Sequence, residues 1–182
     1  MVTDTESIST GGNKMPEQEK SLYMTVLMTP DMANFAGNVH GGALLKLLDQ
    51  VAYACAARYC KSYVVTLLLD QVTFKESIRV GELVSFLANV NYVGKTSMEV
   101  GVKVIAEDLR TKSKRHTNSC YFTMVAIGED GKSTPAPPLE INTEFERKLN
   151  EAALMRREMR REIARRNEAI TSGMPEPDFR IR

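Results

Sequence analysis

The residues able to do chemistry in this chain lie close together: Asn34, His40, Gly41, Gly42 and Asp49, in the run Asn34-Phe-Ala-Gly37-Asn-Val-His40-Gly41-Gly42-Ala-Leu-Leu-Lys-Leu-Leu-Asp49. A polar, turn-rich loop passes through a Gly-Gly pair into a very apolar helix that carries one carboxylate on its second turn. The first amides of a helix have no partner inside it and point beyond its N-terminus, so a start at His40, Gly41 and Gly42 suits polarisation of a carbonyl oxygen. Asp49 can supply a base, and Asn34, able to donate and accept, can orient water or a carbonyl. Together they point to hydrolysis. The plainer readings are a turn-forming Asn34, a His40 that packs or caps, and an Asp49 on a solvated helix edge.

The elements that must position these groups follow from periodicity. Ser21 to Met28 is rich in β-formers and stops at Thr29-Pro30-Asp31, which predicts a first strand and a turn. The helix is expected from His40 or Gly41 to Cys60, apolar on almost every side and therefore enclosed by other structure. Lys46, Asp49, Gln50 and Tyr53 form its one polar stripe, too sparsely charged for an open face. Tyr63 to Phe74 is a continuous β-branched and apolar run, expected in the middle of a sheet. Leu83 to Val93 and the alternating Met98, Val100, Val102 and Val104 make a hairpin about Gly94-Lys95, and Arg115 to Ile127 is the last strand. The economical fold is α+β, one antiparallel sheet wrapped around a buried central helix.

The remaining segments read as accessories. Residues 1–19 have little to bury and are expected to be a disordered arm ahead of a domain over 20–140. Residues 141–170 predict an amphipathic helix capped near Thr143. Phe145, Leu149, Ala152, Met155, Met159 and Ile163 make a thin apolar stripe among Arg156, Arg157, Arg160, Arg161, Arg165 and Arg166. It reads as a surface or inter-subunit helix, with binding of an anion such as nucleotide or CoA phosphates as a weaker alternative, and RNA binding weaker still because no aromatics interleave to stack bases. Residues 171–182 are expected to be a flexible tail.

Composition excludes several classes. With 24 Lys+Arg against 23 Asp+Glu there is no global basic field to select nucleic acid. Cys55, Cys60 and Cys120 lack metal-site or redox spacing and fit a reduced compartment. No N-terminal apolar segment resembles a signal peptide, and no apolar run approaches the ~20 residues of a membrane span, so a cytoplasmic protein is expected. Nucleophile-elbow, P-loop and zinc-helix motifs are absent. With only His40 and His116, no triad and no metal site are expected.

The string Pro30-x3-Asn34-x2-Gly37-x2-His40-Gly41-Gly42-x-Leu44-Leu45-x2-Leu48-Asp49-x2-Ala52, then Val65-Thr66, Phe74 and Gly94-Lys95-Thr96-Ser97-Met98-Glu99-Val100, resembles the hotdog-fold acyl-CoA thioesterases of the bacterial and cytosolic acyl-CoA hydrolase group. The resemblance implies hydrolysis of fatty acyl-CoA to fatty acid and CoA, with CoA as part of the substrate and no other cofactor. It implies that Asn34 and Asp49 are the catalytic pair, contributed by opposite protomers of a dimer. Asp49 would be base or nucleophile, and the amides near His40, Gly41 and Gly42 would hold the thioester carbonyl. Lys95, Thr96 and Ser97, with Arg115 as a further phosphate partner, would line the CoA groove, although plain hairpin roles fit equally. Dimers assembled into trimers of dimers are implied as well, and a nucleotide regulator is compatible with the pattern. The alternatives are a non-catalytic acyl-CoA-binding sensor of the same fold, a dehydratase using His40 with Asp49, and nucleic-acid binding through the Arg-rich helix.

Overall fold

The computed structural model describes residues 18–70 and 72–173. The expected arm lies outside these up to residue 17, as does the tail from residue 174. Residues 18 and 19 are not part of a loose arm. The Gln18 amide donates to the Pro138 carbonyl at 2.8 Å and accepts from the Glu140 amide at 3.0 Å, while Glu19 pairs with Arg58.

Strand β1 (Ser21–Leu27) leads through a short 3₁₀ turn (Pro30–Met32) to helix α1 (Gly41–Cys60). Strands β2 (Tyr63–Leu69), β3 (Leu83–Val93), β4 (Ser97–Glu107) and β5 (Lys114–Ile127) follow, then helix α2 (Glu144–Thr171). The strands form one antiparallel sheet in the order β1-β3-β4-β5-β2. Strand alternation aims Val84, Phe86, Val100, Val102, Val104, Phe122 and Met124 at α1, which meets them with Leu44, Leu48, Val51, Ala52 and Cys55. Helix α1 stops where Lys61 turns left-handed, at φ 52°, and its amide closes on the Ala57 carbonyl.

One expectation fails, and a second is met on one side only, for the same reason. The run at Tyr63 is not in the middle of the sheet: β2 is an edge strand, bonded to β5 alone, and it leaves Leu67 68% and Leu68 42% exposed. Nor is α1 enclosed. A single curled sheet covers one side of a helix, so Lys46, Asp49, Gln50 and Tyr53 face outward. The continuous apolarity of both segments therefore exceeds what one chain buries.

Helix α2 crosses the outer face of the sheet. A capping box starts it, with the Thr143 hydroxyl accepting from the Glu146 amide while the Glu146 carboxylate accepts from the Thr143 amide. It docks by charge rather than by its apolar stripe, since Met155, Met159 and Ile163 all remain more than half exposed. Arg156 donates to Glu99, a carboxylate only 2% exposed, at 2.6 Å, and lies 3.6 Å from the Tyr121 ring centroid. Arg160 bridges Glu99 at 3.3 Å and Asp70 at 2.5 Å. Asn91, extra at a bulge in β3, completes the cluster by donating to Glu99. Gly101 makes room for it, because a Cβ there would lie 2.5 Å from Asn91 Nδ2. Arg156 and Arg160 are therefore committed to acids of the same chain, which removes them from any nucleic-acid surface. Among the described residues no helix is long and apolar enough to cross a membrane.

Candidate active site

Local hydrogen bonding decides what each candidate can do. Asn34 sits half-buried in a loop that it organises itself. Its Oδ1 accepts from the amides of Ala36 at 2.9 Å and Asn38 at 3.1 Å, and its own amide donates to the Asn38 carbonyl at 2.6 Å. Gly37, at φ +78°, makes the tight turn between them, a conformation that favours glycine. Two N–H donors thus fix which end of the amide is oxygen. The Nδ2 group makes no hydrogen bond among the described residues, so Asn34 is available as a donor, while its acceptor is occupied. The turn-forming role and an unpartnered donor coexist in one side chain.

His40 is the N-cap of α1. Its Nδ1 accepts from the Gly42 amide at 2.9 Å. A side chain at Gly42 would press on that ring, with Cβ 3.1 Å from Nδ1. The cap withdraws His40 from acid–base chemistry with Asp49 and withdraws the Gly42 amide from any substrate carbonyl. The Gly41 and Ala43 amides have no hydrogen-bond partner among the described residues, so the helix N-terminus retains two donors. Gly41 packs against the Phe74 ring, 3.6 Å from where a Cβ would lie.

Asp49, on the outward face of α1, accepts at Oδ1 from the Thr66 hydroxyl at 2.6 Å. This is the length of a charge-assisted O–H···O⁻ bond, and it fixes the carboxylate on its helix. In the sequence Thr66 stands in a β-branched strand and, with Val65, in the string that carries the family resemblance, with no role attached to its hydroxyl. Nothing in its spacing from Asp49 could show that β2 returns beside that stripe. Tyr53 and Tyr63, with ring centroids 6.3 Å apart, extend the same exposed surface. No hydrogen bond among the described residues joins Asn34 to Asp49.

The expected CoA residues divide. Lys95, Thr96 and Ser97 form the β3–β4 turn, closed by the Gly94 amide on the Ser97 carbonyl at 2.7 Å. Ser97 lines a cavity of about 300 Å³ with Leu67, Tyr92, Arg157, Arg160 and Arg161. Arg115 is elsewhere. It pairs with Ala106 while Ser97 pairs with Val125, so the two lie nine residues and about 30 Å apart along β4 at ~3.3 Å per residue. Its guanidinium is already held by Glu82 (2.9 and 2.7 Å), Glu76 (3.1 Å) and the Ser77 carbonyl (2.7 Å). It is an ion-pair residue and not a free phosphate partner. Burial alone would raise the Glu82 pKa, but the hydrogen bonds and charge of Arg115, with the Arg79 amide, carry it below its ordinary value. Among the described residues no cluster of three or more His, Cys, Asp or Glu side chains could hold a metal ion.

Residues 36–113 match the family described as the thioesterase superfamily. The chain is 57% identical over 139 residues to protein VdlD of Helicobacter pylori, covering 76% of this chain and 79% of VdlD. It is 32% identical over 157 residues to YkhA of Bacillus subtilis, an uncharacterized acyl-CoA thioester hydrolase, covering 86% and 91%. A solved hexameric acyl-CoA thioesterase in the apo form superposes with a TM-score of 0.77 at 37% identity, over 81% of this chain and 94% of that one. The acyl-CoA hydrolase of Staphylococcus aureus, solved with butyryl-CoA, CoA and CoA disulfide, does so with a TM-score of 0.75 at 28% identity, over 85% and 93%. Alanine variants of that enzyme at an asparagine, an aspartate and a threonine have also been solved. A curled five-stranded sheet packed on one helix defines the hotdog class of fold. The chain belongs to the thioesterase superfamily, in its acyl-CoA hydrolase group.

Proposed function

We propose that this protein hydrolyses the thioester of fatty acyl-CoA, releasing fatty acid and CoA, in a site built from two copies of the chain. One observation carries the reading. Asn34, Asp49 and Thr66 are spaced by fifteen and seventeen positions, and so are the asparagine, aspartate and threonine substituted in the Staphylococcus aureus acyl-CoA hydrolase.

The roles follow from the hydrogen bonds. A thioester is already activated towards attack, so a base or nucleophile and a donor for the developing oxyanion suffice. Asp49, steadied by Thr66, either takes a proton from water or attacks the carbonyl carbon. Direct attack expels CoA thiolate and leaves an acyl–Asp49 anhydride; where water opens that anhydride at the Asp49 carboxyl carbon, single turnover in ¹⁸O-water gives a first molecule of fatty acid carrying an unlabelled Asp49 oxygen, whereas the base route labels it from water. Asn34 Nδ2 and the Gly41 amide have no partner among the described residues, and both suit the carbonyl oxygen.

The site needs a second copy because Asp49 lies on the face of α1 that one sheet leaves bare. The open edge of β2 beside it, with Leu67 68% exposed, offers unpaired backbone groups to another strand. Pairing there would cover the outward stripe of α1 and bring one copy's Asn34 to the other's Asp49, and the hexameric relative sets the size expected of the assembly. Arg157 and Arg161, around the cavity that holds Ser97, replace Arg115 as the cations available to CoA phosphates.

The test is release of free thiol from acyl-CoAs of graded chain length by the wild-type, Asn34→Ala and Asp49→Ala proteins, with the assembly state measured by light scattering. Each variant should lose about 10²-fold or more in kcat while keeping its assembly. Full turnover by Asp49→Ala removes the mechanism. Tight acyl-CoA binding by the wild type without thiol release makes the protein a sensor instead.

A further inference from the structure

The Arg115–Glu82 pair lies far along the sheet from the CoA turn, yet it is tied closely to the loop that carries Asn34. Arg115 clamps segment 76–82 at several points, through the Ser77 carbonyl and the Glu76 and Glu82 carboxylates. Glu82, 5% exposed, accepts in turn from the Arg79 amide at 2.9 Å. A few residues earlier, the Lys75 amide donates to the Thr117 carbonyl at 3.0 Å, next to Arg115 on β5. The backbone at 77–79 is thus fixed from both sides by side chains of one ion pair.

That backbone is what the site loop rests on. Val39 donates to the Ile78 carbonyl at 2.8 Å, and Asn38 is bridged to Arg79. Asn38 is also the residue that Asn34 grips twice, its amide donating to Asn34 Oδ1 and its carbonyl accepting from the Asn34 amide. A path of hydrogen bonds and short backbone links therefore runs from Arg115 through Glu82, segment 77–79 and Asn38–Val39 to Asn34. Only Arg offers the planar fork that binds both Glu82 oxygens while still reaching Ser77 and Glu76.

We propose that the Arg115–Glu82 pair is a positioning device for Asn34, setting where its free amide donor points without touching substrate. The inference rests on Asn34 acting in the reaction. Displacement of a reacting group by about an ångström can cost up to ~10²-fold in rate, so Arg115→Met should lower kcat by about ten- to a hundredfold and leave KM within about twofold. Arg115→Lys, which keeps the charge but not the fork, should fall between.

A double-mutant cycle separates positioning from general loss of structure. The kcat of wild type, Arg115→Met, Asn34→Ala and the double variant is measured, with melting temperature and assembly state followed throughout. If Arg115 acts through Asn34, Arg115→Met costs rate in the wild-type background and close to nothing once Asn34 is alanine. Equal costs in both backgrounds overturn the proposal, as does an effect confined to KM or an Arg115→Met enzyme at full rate. Should Arg115→Met fail to fold, the same cycle is run with Arg115→Lys and Glu82→Gln. An Asn34→Ala enzyme at full rate refutes the catalytic reading itself, a result distinct from additivity.

Discussion

Replacing Thr66 by valine tests the geometry of the site at a single atom. The hydroxyl donates to Asp49 Oδ1 at 2.6 Å and also lies 3.6 Å from Met124 Sδ. Valine has the same branched shape, keeps the strand preference of β2 and replaces the hydroxyl by a methyl that packs on Met124. Folding should therefore be unaffected, with the melting temperature within about 2 °C. A hydrogen bond to a charged group contributes about 1.5–3 kcal/mol, and ~1.4 kcal/mol corresponds to a factor of ten in rate. Asp49 stands on the open face of its own chain, which favours the lower end, so kcat should fall about tenfold, and by more if a second copy excludes water from the site. Thiol release at saturating acyl-CoA reads kcat directly, and Thr66→Ser, which restores a hydroxyl, should recover most of the rate. Full turnover by Thr66→Val beside an inactive Asp49→Ala would refute the claim that Thr66 orients the carboxylate.

Other expectations concern stability and thiol chemistry. Because the Glu82 pKa lies below its ordinary 4.5, the stabilisation it brings is complete above that value and is lost as pH falls through the lowered folded value. Melting temperature should drop on acidification below about pH 4.5, and Glu82→Gln should flatten that decline. Burial pushes the Cys55 and Cys120 thiols up to about 12, so at pH 8 a disulfide reagent should modify Cys60 in the native protein and reach the other two only after denaturation. Arg156→Met leaves Arg160 as the remaining cation on buried Glu99. It should cost about 1.5–3 kcal/mol in urea unfolding, the loss of a hydrogen bond to a buried charge that Arg160 still balances. Gly101→Ala displaces Asn91 from the same cluster and should destabilise in the same assay, by less than Arg156→Met.

The sequence made the fold legible where each element contains its own cause. Alternation in Leu83 to Val93, the glycine turn after it and the capped, unbroken apolar run to Cys60 each specify local geometry, and all appear at the expected residues. Position in the sheet was not legible. The run at Tyr63 looks central because it is apolar on both faces, and it is an edge strand because strand order depends on which strands meet, which no single stretch encodes. The outward face of α1 has the same explanation. Helix α2 reads as a surface or inter-subunit helix, but how it docks was not legible: Glu99 and Asp70, distant in sequence, supply the acids that turn Arg156 and Arg160 inward.

At the site the division is similar. The residue types and spacing of Asn34, His40 and Asp49 suffice to mark a loop, a cap and a carboxylate, because a turn, an N-cap and a helix face are set by neighbours a few residues away. Tertiary structure decided which donors remain free. It gave the Gly42 amide to His40, left Asn34 Nδ2 without a partner among the described residues, placed Thr66 on Asp49 and moved Arg115 from a phosphate role to an ion pair with Glu82. Hydrogen bonds between segments depend on distances that chain folding alone creates, so the Asn34 to Asp49 run announces a site but does not state which of its atoms can act.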